Sequence, residues 1–98
     1  METRVGNVQE SADVIAIRAL AWLVGNDELL PVFLGSTGAS EADLRQRAGD
    51  PDFLASVLDF LLMDDAWVMA FCRAEGLPGE APMRARAALP GGGDPHWT

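Results

Sequence analysis

A chain of 98 residues, 49% of them hydrophobic, is long enough for one globular domain with a single modest core, and too apolar for a disordered segment. Its net charge of −8, with no Lys and seven Arg, argues against nucleic acid or an anionic membrane as partner, because both demand clustered cations. Cys72 is the only cysteine, which excludes an intramolecular disulfide, a Cys-based zinc site and a Cys-x-x-Cys redox pair.

In chain order, residues 1–7 read as a flexible arm. Val14, Ile17, Leu20/Ala21 and Val24 recur at helical spacing, which predicts a first helix over about 8–24, ended by Gly25. Asn26 suits the cap of a second helix near 27–37, with Asp27 and Glu28 in its positive first turn and Gly38 beyond its end. Pro31 falls inside that span and is expected to kink its start. Ser40 with Asp43 forms a capping box for a third helix near 41–48, closed by Gly49. Asp50 and Pro51 open a fourth near 51–63, whose Leu54, Val57, Leu58, Leu61 and Leu62 form an apolar stripe. Asp64 caps a fifth near 65–75, closed by Gly76, and a sixth near 80–89 is stopped by Pro90. No stretch alternates at period two, so no strand is expected. The fold class is all-α: one domain of six short helices over 8–90, with flexible termini at 1–7 and 91–98.

The chain also matches itself. Shifted by 38 residues, Leu20 falls on Leu58, Trp22 on Phe60, Leu23 on Leu61, Asn26 on Asp64, Phe33 on Phe71 and Gly38 on Gly76. One residue further on, Arg45 falls on Arg84, Arg47 on Arg86 and Ala48 on Ala87. Residues 15–48 and 53–87 thus read as two similar three-helix units, each too small to offset its own ordering entropy and so sharing one core. That core is predicted to hold Leu20, Leu23, Phe33, Leu58, Leu61 and Phe71. The repeated Arg-x-Arg lies near helix C-termini, where a cation suits the dipole. Trp67 is expected to be ordered and Trp97 mobile.

The run "DPDFLASVLDFLLMDDAWVMAFCRAEGLPGEAPMRARAALPGG", with "RALAWL" and "FLGSTGASEADLRQRA" before it, resembles the alphaproteobacterial family of small helical proteins called domain of unknown function 3572. The resemblance covers about residues 12–93. It implies a small intracellular protein and brings no catalytic residue with it.

The residues offer little chemistry of their own. Asp64 and Asp65 point about 100° apart on a helix, and the first stands where a cap is needed. His96 is the only histidine and sits in the tail, so no Ser-His or Cys-His pair is built. Without Lys a Walker-type phosphate loop is excluded. Cys72, amid "WVMAFCRA", reads as a buried, inert thiol. The expectation is therefore a protein without catalytic activity, cofactor or metal. The longest apolar run, Val14–Val24, falls short of the ~20 residues that span a bilayer. The first dozen residues lack an export pattern, so a cytoplasmic protein is expected.

The function expected is that of a protein–protein interaction or regulatory module with a protein partner. Its candidate surface is Met63, Asp64 and Asp65, together with any helix-face hydrophobics that the small core leaves uncovered, and Pro95-His96-Trp97 offers a short docking element in the tail. The alternative is a helix-turn-helix nucleic-acid regulator over "VFLGSTGASEADLRQRA", though Glu41 and Asp43 would set negative charge against phosphates.

Overall fold

The computed structural model describes residues 11–90, which form six helices and, among the described residues, no strand. Helix α1 (Ala12–Val24) starts after Ser11, whose extended backbone marks the boundary and whose carbonyl accepts from the Ile15 N–H. The expected start near Val8 is therefore too early at Ser11, and Val8 to Glu10 lie outside the described residues. Gly25 closes α1 at φ −84°, an ordinary conformation, so its lack of a side chain is not what ends the helix.

Helix α2 (Leu30–Thr37) begins three residues later than expected. The Asn26 side chain accepts from the N–H groups of Glu28 and Leu29, folding residues 27–29 into a turn before the helix proper. Pro31 then lies in the first turn, where a missing N–H costs no helical hydrogen bond, so the reason for expecting a kink falls away. Gly38 ends α2 with φ +76°, a left-handed conformation that favours glycine.

Helix α3 (Glu41–Gln46) opens with the reciprocal capping box: Ser40 Oγ accepts from the Asp43 N–H and Asp43 accepts from the Ser40 N–H. It stops two residues before the expected end, in a turn over 47–49 where the Asp50 N–H bonds Arg47 O. Asp50 and Pro51 start α4 (Pro51–Leu61), and the predicted last two residues, Leu62 and Met63, lie in the turn beyond it. Helix α5 (Asp65–Glu75) has its expected bounds, between the Asp64 cap and Gly76 at φ +69°. Helix α6 (Ala81–Ala88) is one residue shorter at each end, and Leu89 before Pro90 is extended, as a residue preceding proline prefers.

Helix α4 is the centre of the fold. Phe53, Leu54, Ala55, Val57, Leu58, Phe60 and Leu61 are buried around most of its circumference, as expected of a helix covered on several sides. Helices α1 and α6 pack against it and against each other, and α2 and α5 lie more lightly on α1. All six predicted core residues are buried in one cluster; Leu20 is 6% exposed and the other five have no exposed surface.

Two aromatic contacts exchange under the 38-residue register. Phe33 of α2 meets Phe60 of α4 edge-on at 5.2 Å, and Phe71 of α5 meets Trp22 of α1 edge-on at 5.8 Å. Each half thus sends a Phe into an aromatic of the other half, as a shared core between like units would. The third helices depart from this symmetry: α6 packs broadly on α1 and α4, and α3 does not pack broadly on either.

Candidate interaction surface

Helix α1 is apolar at every position except Asp13 and Arg18. A helix turns about 100° per residue, so its apolar residues fall into two stripes. Ile15, Ala16, Ala19, Leu20 and Leu23 face the core. Val14, Ile17, Ala21 and Val24 face solvent, with Val14, Ile17 and Val24 each 41–47% exposed. The regular spacing visible in the sequence is thus, Leu20 apart, that of the outward stripe. Apolar residues on all sides of α1 were the legible sign of a second face, but periodicity alone does not say which stripe turns inward.

The N-terminal end of this stripe runs into an open apolar cleft of about 480 Å³, lined by Asp13 and Ile17 of α1, Pro51 and Leu54 of α4, and Leu89 after α6. A hydrogen bond with the Ser11 side chain, aided by backbone N–H groups of the first turn, holds the Asp13 carboxyl below its usual range and so ionised. Asp27 and Glu28 are exposed just beyond the other end. Arg18, the one cation on α1, is bound to α5: its Nε donates to Glu75 Oε1 at 3.0 Å and its Nη2 to the Glu75 carbonyl at 2.7 Å.

The residues singled out from sequence lie together at the turn between α4 and α5. Met63 is 71% exposed in the turn after α4. The Asp64 carboxylate accepts from the Ala66 N–H at 2.8 Å as the cap of α5, and Asp65 is exposed in the first turn. Pro95, His96 and Trp97 lie outside the described residues, as do residues 1–7 and 91–93. Trp67 is partly buried and stacks on Phe60 at 4.8 Å.

Cys72 is buried, its thiol donates to the Pro78 carbonyl at 3.4 Å, and burial, helped by the Glu80 carboxylate, pushes it above the ordinary thiol range. The α2–turn–α3 segment has a second helix of only six residues, with Glu41 and Asp43 in its first turn. Each Arg-x-Arg fastens a third helix. Arg47 pairs with Asp50 at 3.6 Å and lies 4.8 Å over the Phe53 ring. Arg86 donates to Asp59 at 2.6 Å and to the Pro90 carbonyl at 3.0 Å. Among the described residues no three His, Cys, Asp or Glu side chains converge on a metal site, and no helix is long and apolar enough to cross a membrane.

The family described as Protein of unknown function (DUF3572) matches residues 9–92. The chain belongs to that family. No curated protein and no solved structure matches it.

Proposed function

We propose that this protein is a cytoplasmic protein–protein interaction module without catalytic activity, and that it meets its partner through the outward face of α1. The observation supporting this reading is the second apolar stripe. Val14, Ile17, Ala21 and Val24 lie in line on a helix whose opposite side is committed to the core. Single exposed apolar residues are ordinary, whereas an aligned set beside an apolar cleft marks an interaction surface.

Site-specific photo-cross-linking in the native host tests it. A benzoylphenylalanine replacing Ala21 should give a discrete protein adduct, and the same group at Ala70, exposed on α5, should not. No adduct from position 21, or the same adducts from both positions, would contradict the reading.

A further inference from the structure

The exchange of aromatic contacts between the halves extends to the faces beside them. In the same register Ile17, Ala21 and Val24 on α1 correspond to Ala55, Asp59 and Leu62 on or just after α4. On α4 that face is partly covered: Ala55 is 4% exposed, Leu62 is half-buried, and Asp59, itself exposed, accepts from Arg86 of α6. On α1 the corresponding face is open, with Ile17 43% and Val24 47% exposed. The sequence differs at the same place. Where the second half has Asp59 to hold Arg86, the first has Ala21, and Arg47 turns to Asp50 and the Phe53 ring instead.

Resting on the interaction reading above, we propose that the outward face of α1 binds one α-helix of a partner protein, placed on α1 as α6 is placed on α4. That helix carries an apolar stripe with a basic residue toward each end. The apolar part follows from Val14, Ile17, Ala21 and Val24, whose three- and four-residue spacing is that by which one helix meets another over about 15 Å.

The basic ends follow from charge. Asp13 stands ionised at one end, and Asp27 and Glu28 stand just beyond the other without an ion pair among the described residues. Arg18 is held by Glu75 and does not offset them. A second copy of this chain fits poorly. An antiparallel pair brings Asp13 of one copy near Asp27 and Glu28 of the other, a parallel pair sets like on like, and each copy carries a net charge of −8.

The test is titration of the full chain with a stapled helical peptide of about 18 residues, long enough to reach past both ends of the stripe. The probe carries Leu at the four stripe positions and Arg at both ends; the control carries Glu in place of Arg. The Arg-ended helix should shift the amide resonances of Val14, Ile17, Ala21 and Val24 and bind roughly tenfold more tightly than the control, with the difference shrinking in high salt. Ile17→Asp, at an exposed position, should abolish binding and leave the helical circular dichroism unchanged.

Equal binding of the two peptides, no binding, or shifts confined to another face would overturn the proposal. So would a dimer in sedimentation that Ile17→Asp splits, since a second copy would then occupy the face. If the adduct from position 21 persists while the Arg-ended helix fails, the partner's chemistry is wrong and the interaction reading stands. If both fail, the interaction reading fails with it.

Discussion

Truncating the two exchanged phenylalanines tests the shared core with an internal comparison. Phe33 and Phe71 both have no exposed surface. Phe71→Ala removes a ring packed edge-on against Trp22 and should cost about 3–5 kcal/mol through lost burial and the cavity left behind. Phe33 meets two rings, Phe60 at 5.2 Å and Phe53 at 6.2 Å. Phe33→Ala should therefore cost more by about 0.5–1.5 kcal/mol, the worth of one further aromatic pair. A chain of this size is stable by only about 5–15 kcal/mol, so both losses should be large in a urea melt followed by circular dichroism. With a slope of at least ~1 kcal/mol per molar urea, the midpoint should move by one to several molar, or the variant should begin unfolded. A loss below about 1 kcal/mol for either variant would refute the shared core. Phe71→Ala proving costlier than Phe33→Ala would refute the aromatic comparison.

Three further outcomes follow from local geometry. Gly38→Ala and Gly76→Ala, at φ +76° and +69°, should each cost about 1–2 kcal/mol in thermal unfolding, while Gly25→Ala, at φ −84°, should be neutral or mildly stabilising. Asp64→Ala should lower stability by about 0.5–2 kcal/mol, and Asp64→Asn by much less, because the side chain serves as a cap that an amide oxygen also provides. Cys72 should react with iodoacetamide far more slowly in the folded chain than in urea, because burial favours the neutral thiol. The sign for stability follows: Cys72's contribution is complete below the unfolded thiol pKa of about 8.5 and falls as pH rises toward the higher folded value, a loss that Cys72→Ala should remove.

The elements differ in how far the sequence reveals them, and for physical reasons. Helix α5 is legible to the residue because an Asp cap and a left-handed Gly bound it and nothing else competes for those backbone groups. Helix α2 is not, because the Asn26 side chain takes the N–H groups of Glu28 and Leu29 and sets a turn where propensity and charge suggest a first helical turn. The half-chain similarity shows in Phe33, Phe71, Trp22 and Phe60, whose contacts exchange. The third helices diverge where Ala21 stands as the counterpart of Asp59, a difference whose bearing is visible only once Arg86 is seen to use Asp59. Met63–Asp65 stood out in the sequence because of its paired carboxylate, and there the structure shows Asp64 as the cap of α5 with Met63 and Asp65 exposed beside it. The outward stripe of α1 was visible, but it was indistinguishable from a core stripe until Ile15, Ala19 and Leu23 were seen to face inward.

The central claim is that α1 carries one apolar face for the fold and another for a partner. The most direct test is the urea midpoint of the triple variant Val14→Ser, Ile17→Ser, Val24→Ser beside that of Leu20→Ser. Positions 14, 17 and 24 are 41–47% exposed and Leu20 is 6% exposed. The triple variant should stay within about 1.5 kcal/mol of the parent, about 0.5 for each exposed substitution, whereas the single change at Leu20 should lose about 2–5 kcal/mol. A triple variant that loses as much as Leu20→Ser would show that the outward face of α1 is already covered within the fold, and would contradict the account.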